Sequence, residues 1–409
     1  MRPRTTTAVY QTVARVWLTL AGLSLLLPPH RRSGIWLPLH LALAGAVTTA
    51  ISGAMQNFML ALTATPAPPA PVTWTQLGLV VGGAASIVIG VPSSIPWLVA
   101  LGGAAFVVAI GILGWMLWRS WRGALNKRHA VPMAAYGAAV LAALIGGTLG
   151  ALLGTGAVGA DAYLRVQRAH MTLNVLGFAS LTVVGTLVTL LPTVLRVRMP
   201  PWRGRLALAS LVGGLLVQLL GWTLDLTPLL AAGGIVYAAG SLGLAWLVIS
   251  VLRIERRWRV PAAAMHMVAA AVWFISGSLA LAWALAHGPG GFDAFRWNFL
   301  VAFVGGWLVQ ILLGAWSYLL PNARSAHPDV RRRWLAAFEI AAPLQVLLLN
   351  AGLVLMAVRG AGWASTGVGD AGVVLAFTGA GLAVVKVWLF PLLGLGPVDT
   401  DRARAVWGG

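Results

Sequence analysis

The two residues best suited to chemistry are His40 and His170. Each stands near the start of a long apolar stretch, about one helical turn below the same face of a membrane. Two neutral imidazoles at equal depth on separate helices can supply axial ligands to a haem iron or contribute to a copper site. Each can equally be an interfacial histidine bonded to backbone or water. Asn174 lies four residues after His170 and shares a helix face with it and with Gly177. His287 ends a later apolar stretch on the same side. The candidate metal set is therefore His40, His170 and His287, with Asn174 beside it.

The remaining polar residues invite quieter readings. His266 is flanked by Met265 and Met267, and thioether with imidazole suits copper. Neighbouring residues on a helix point different ways, so packing is expected for His266. His30, His129 and His327 fall in loops, where solvation is expected. Glu339 and Lys386 lie at comparable depths on adjacent antiparallel stretches and are expected to form a structural ion pair rather than a proton relay. Gln310, Tyr318 and Asn350 suit hydrogen bonds between helices. Thr182, Thr186, Thr189 and Thr193 make a stripe, but hydroxyls that bond their own helix need line no pore. No residue is assigned a catalytic role.

The elements that position these residues must be membrane helices. Of 409 residues 59% are hydrophobic and only 9% charged, with a mean hydropathy of +0.87. A water-facing surface needs about 25% charged residues, so the whole chain reads as one integral membrane domain. The net charge of +19 does not indicate nucleic acid, because the charges lie between apolar stretches and act as topology signals. The absence of cysteine excludes disulfides, iron–sulfur clusters and thiolate metal sites. The basic N-terminus, Met1 to Arg15, precedes an apolar run without a small-residue cleavage site and is expected to stay as a first helix.

Twelve spans are expected, at 12–29, 36–62, 74–93, 97–119, 132–157, 166–194, 204–223, 227–252, 260–287, 296–321, 333–357 and 371–395. The third and fourth, joined by VPSSIP, leave open a fused re-entrant element. Positive charge gathers in alternate loops: Arg122, Lys127 and Arg128; Arg196, Arg198, Arg203 and Arg205; Arg253, Arg256, Arg257 and Arg259; Arg324, Arg331, Arg332 and Arg333. By the positive-inside rule these loops and both termini face the cytoplasm of a bacterial inner membrane, although Arg31 and Arg32 disagree. Trp36, Trp74, Trp202, Trp297 and Trp334 near span ends suit interfacial anchoring.

One phrase recurs. GFASLTVVGTLVTLLPT from Gly177 and GWLVQILLGAWSYLLPN from Gly306 place two glycines eight apart, followed by Leu-Leu-Pro. Gly45 and Gly53 repeat the glycine spacing 132 residues before Gly177, and Gly306 follows Gly177 by 129. The copies fall on spans 2, 6 and 10, so the chain reads as three four-helix blocks, with a pseudo-threefold arrangement of three arcs as the expected architecture.

At RAHMTLNVLGFASLTVVGTLVTLLPTVLRVRM (168–199) the chain resembles haem–copper oxidase subunit I-like membrane proteins, including NnrS-type proteins and the membrane part of actinobacterial copper-oxidase fusions. Their pattern is approximately His-x-His-x-Asn-x-x-Gly-[Phe/Trp]. His170, Asn174, Gly177 and Phe178 match it, while Thr172 replaces the second histidine. GGWLVQILLGAWSYLLP is also similar. The resemblance implies twelve helices in three arcs, and one haem b or copper with His40 and His170 as ligands, or no cofactor. The tenth span has no histidine and no His-His pair occurs, so a complete oxidase is not expected. The implied role is non-respiratory, in nitric-oxide or copper-linked redox physiology with a redox partner such as a copper protein. A secondary transporter and a cofactor-free partner of a redox enzyme remain the alternatives.

Overall fold

The structure, a computed structural model, describes residues 3–125, 127–198, 204–254, 260–324 and 328–392. Trp202, Arg203, Arg256, Arg257, Arg259, His327, the side chain of Arg324 and the end of the last expected span lie outside the described residues. Among the described residues every regular element is helical.

Helix α1 (Pro3–Ser24) leads through a 3-10 turn (Pro29–Arg32) into α2. Helix α2 runs Trp36–His40, widens into a π-helical segment at Leu41–Val47 and resumes as Thr48–Thr63. Then come α3 (Ala70–Gly90), α4 (Pro96–Gly123) and α5 (Ala130–Gly154). Helix α6 has the form of α2: Ala160–Met171, π-helical Thr172–Ala179, then Ser180–Leu195. After α7 (Gly204–Leu224), α8 (Thr227–Ile254) and α9 (Ala262–Ala286), α10 repeats it as Gly288–Phe299, Leu300–Val309 and Gln310–Arg324. Helices α11 (Pro328–Glu339), α12 (Ala342–Gly360) and α13 (Thr366–Leu392) follow. Eleven of these helices, α2–α10, α12 and α13, are long and apolar enough to cross a membrane. The protein is an all-α, multi-pass membrane protein. Helix α1 is 22 residues long but turns Thr7, Gln11 and Arg15 inward.

Two expectations about boundaries change, at the first and the eleventh span, and the expected separation of the third and fourth holds. The first span ends at Ser24, since Pro28 and Pro29 cannot continue it. Helices α3 and α4 are two separate full-length helices, packed so closely that Gly83 and Gly102 face each other's carbonyls. The expected eleventh span is two helices. Ala341 takes a left-handed φ of 52° and Pro343 opens α12 without an N–H to donate, so Glu339 ends α11 instead of lying within a span.

The chain packs as two compact units: Met1–Thr189, Pro201–Leu244 and Ser278–Asp293 form the first, and Leu190–Pro200, Ala245–Gly277 and Ala294–Gly409 the second. The recurrent glycines do the same work in both. A methyl group on Gly45 would stand 2.7 Å from the Trp17 ring, one on Gly177 2.6 Å from Ala142 and one on Gly314 2.9 Å from the Ala263 carbonyl. Gly53 seats Tyr10, Gly185 seats Ala135 and Gly306 seats Trp273. In every block the first helix thus lies against both glycines of the second, where a side chain would push the backbones apart.

The π segments fall at the same place in all three copies. Each ends two or three residues beyond the first glycine, and a polar residue follows. Thr48 donates to Leu43 O at 2.9 Å, Ser180 to Val175 O at 2.7 Å, and Gln310 to Gly306 O at 2.9 Å. A wide turn leaves carbonyls without a regular partner, and these side chains satisfy them inside a water-free medium.

Candidate functional site

His40 is the last α-helical residue before the π segment of α2. The Trp36 ring stacks on its imidazole with centroids 4.0 Å apart at 20°. Its Nδ1 lies 2.8 Å from the Trp36 carbonyl oxygen. His170 stands two residues before the π segment of α6, and its Nδ1 lies 2.8 Å from Gly146 O on α5. A carbonyl can only accept, so both Nδ1 atoms carry the proton and both Nε2 atoms keep a lone pair. Asn174 Nδ2 donates to His170 O at 2.8 Å and so braces the turn that carries the ring. Its 3.1 Å approach to the protonated Nδ1 is contact only. No hydrogen bond from a described residue reaches either Nε2.

The two rings lie within 7° of parallel with centroids 6.5 Å apart. Both residues are half-buried. Helix α5 prepares the seat of His170. A Cβ on Gly150 would stand 2.5 Å from His170 Cε1 and 2.8 Å from Nδ1, and one on Gly146 2.5 Å from Asn174 Nδ2.

Two residues before His170, Arg168 holds the first part of α6 in place. It grips Asp293 at the start of α10 with two hydrogen bonds, of 3.1 and 2.5 Å. Its guanidinium lies 5.6 Å from the Trp222 ring centre, and Trp222 Nε1 donates to Thr172 Oγ1 at 3.2 Å. Arg168 is 8% exposed, so the forked pair and the ring together offset the loss of water around its charge. The sequence shows both residues, but their partnership spans 125 positions and no spacing rule reaches that far.

The other candidates separate from this pair. His287 is exposed and turns its Nδ1 to Trp283 O, 2.9 Å away on its own helix. Among the described residues no three of His, Asp and Glu gather, so the set His40, His170 and His287 is not assembled. Glu339 and Lys386, the expected pair, act on each other electrostatically, and each also has hydrogen-bond partners of its own. Lys386 Nζ donates to Phe338 O (3.3 Å), Ile340 O (2.5 Å) and Gln345 Oε1 (2.8 Å), using all three of its protons. The Glu339 carboxylate accepts from Ala262 N–H at 2.9 and 3.0 Å. Each charge serves a helix end: Lys386 the last carbonyls of α11 and Glu339 the first N–H of α9, where dipoles of opposite sign await them. The break at Ala341 creates the first of these ends, and its left-handed turn could not be read from hydrophobicity.

His266 is fully buried, with Nε2 2.8 Å from Gln345 Nε2, and its packing lies against Gly314. Gln310 and Asn350 exchange two hydrogen bonds of 3.0 Å, and Trp273 Nε1 donates to Asn350 Oδ1 at 2.8 Å. Thr182, Thr186 and Thr189 each bond a carbonyl of their own helix. His129 receives a bond from Arg128 Nε, and burial followed by the Arg128 charge holds its pKa below the ordinary value. His30 is exposed in the turn before α2.

The sequence was compared with protein-family models and with curated proteins, and neither comparison gives a match.

Proposed function

We propose that the protein is a non-respiratory, haem–copper oxidase subunit I-like membrane protein in which His40 and His170 hold one haem b. The observation that carries this is the matched pair of imidazoles. The two rings lie within 7° of parallel with centroids 6.5 Å apart. The donor chemistry fits as well. Each Nδ1–H is spent on a backbone carbonyl, which fixes the tautomer and raises the basicity of Nε2. Two protein ligands suit a metal that brings four more of its own, as a porphyrin iron does.

Such a group, when bound, would supply electron transfer, and His40 and His170 would hold it. The chain's own residues orient it. Trp36 holds the His40 ring, Gly146 O and Asn174 hold the His170 turn, and Arg168 with Asp293 anchors the helix that carries it. Oxygen reduction needs further histidines, and α10 has none. The alternating arginine-rich loops favour a bacterial inner membrane with both termini cytoplasmic. The recurrent π segments and glycine seats favour three four-helix arcs. The role is then electron exchange with a partner such as a copper protein, in nitric-oxide or copper-linked physiology.

The test is an absorption spectrum with metal analysis on the purified protein, His40→Ala and His170→Ala. A Soret band that disappears in both variants is expected. Stoichiometric copper without a Soret band would move the same pair to two-coordinate copper. Cofactor content equal in all three proteins would end the ligand assignment.

A further inference from the structure

We infer that the first unit binds an anionic phospholipid in a groove between α3 and α4. The groove has a volume of about 650 Å³ and is walled by Val72 and Thr75 on α3 and by Val108, Ile112 and Trp115 on α4. Gly111 forms its floor. No atom lies within 4 Å of where a Cβ on Gly111 would point, so the concavity exists because that side chain is missing. Its lining is almost wholly apolar.

The chemistry changes at one end. Trp115 closes the groove, and the Arg119 guanidinium lies 5.7 Å from the centre of its ring. Arg122 lies 5.1 Å over Trp118 and Lys127 5.5 Å over Trp121. Val108, Gly111, Trp115, Arg119 and Arg122 follow one another along one face of α4 at steps of three and four residues. Three cations thus stand on three indole faces at and just beyond the end of a helix whose preceding turns line an apolar groove. Arg119, Arg122 and Lys127 are all exposed.

Charge complementarity selects the occupant. The first 160 residues contain no aspartate and no glutamate, so no carboxylate from this stretch neutralises the cluster. The indole faces attract the three cations, which stay exposed. A phosphate-bearing anionic headgroup beside Arg119 and Arg122, with one chain lying over Gly111, matches both ends of the site. A zwitterionic lipid matches only the apolar end. Clustered basic residues at the inner boundary of a span attract anionic lipid with an energy that adds per cation.

The full-length protein would be equilibrated with vesicles of equal parts phosphatidylglycerol and phosphatidylcholine. Lipid retained after extraction would be counted by native mass spectrometry. A preference of about 30-fold for phosphatidylglycerol is expected from two cations at about 1 kcal/mol each. Arg119→Gln with Arg122→Gln should bring the preference close to parity. Gly111→Leu, which enters open space and leaves the packing intact, should remove one retained lipid. Equal retention of both lipids by the wild type would overturn the inference. So would an unchanged preference in the double variant, or an unchanged lipid count in Gly111→Leu.

Discussion

The His40–His170 region of the first unit and the Gln310–Asn350 region of the second begin from the same scaffold and end in opposite chemistry. Each has a glycine that seats the preceding helix, a π-helical segment and a polar residue that caps it. In the first region the polar hydrogens are spent on backbone carbonyls and two nitrogen lone pairs are left over. In the second, two amides and an indole close on one another: Gln310 and Asn350 satisfy each other and Trp273 completes the set. A surplus lone pair invites a metal, whereas a closed ring of amides resists any ligand. The scaffold therefore says where polar groups can be placed in the membrane, and residue identity decides whether they bind anything.

The sharpest test of this contrast is occupancy. His40→Ala or His170→Ala should lower cofactor content to under about a tenth of wild type, because one protein ligand of two is gone. Asn350→Ala should leave that content unchanged in the same spectrum. If Asn350→Ala also empties the site, the two regions are not independent and the comparison fails.

Gly150→Ala asks whether the seat matters as much as the ligand. Its Cβ would stand 2.5 Å from His170 Cε1, so the ring must move. Cofactor affinity is expected to fall about 10- to 100-fold, as when an outer partner of a ligand is disturbed. Titration of the apoprotein with haem reads this directly, and wild-type affinity would mean that α5 does not position the ring.

The closed region should show its worth in stability alone. Asn350→Ala leaves Gln310 and Trp273 Nε1 without their partner inside the protein. The expected loss is about 1–2 kcal/mol, measured by unfolding in detergent. A smaller value would show that the amides find other partners.

The smallest expected effect concerns Glu339 and Lys386. Since each caps a different helix end, Glu339→Gln and Lys386→Met should destabilise nearly additively, with a coupling under about 1 kcal/mol in a double-mutant cycle. A coupling of several kcal/mol would restore the ion pair.

Much of the frame was legible in the residues. Long apolar stretches identify the helices, because hydrophobicity is local and each residue adds to it independently. The glycine phrase located the three equivalent helices, because close backbone approach admits no side chain. The π segments were not legible, since they lengthen a helix by one residue without altering its composition. Nor was the break at Ala341. It splits an apolar stretch and turns two expected partners into two caps.

By itself the sequence determined that this is a multi-pass helical membrane protein, which residues are polar within it, and that two of the three glycine-bearing helices carry a histidine. Tertiary structure decided which of those polar residues meet. His170 owes its tautomer to a carbonyl 24 residues away, and Arg168 finds its carboxylate at a separation of 125. His40 faces His170 rather than His287. Burial depends on the sum of nearby residue types, whereas a hydrogen bond depends on direction. Direction is set only when separate helices have packed.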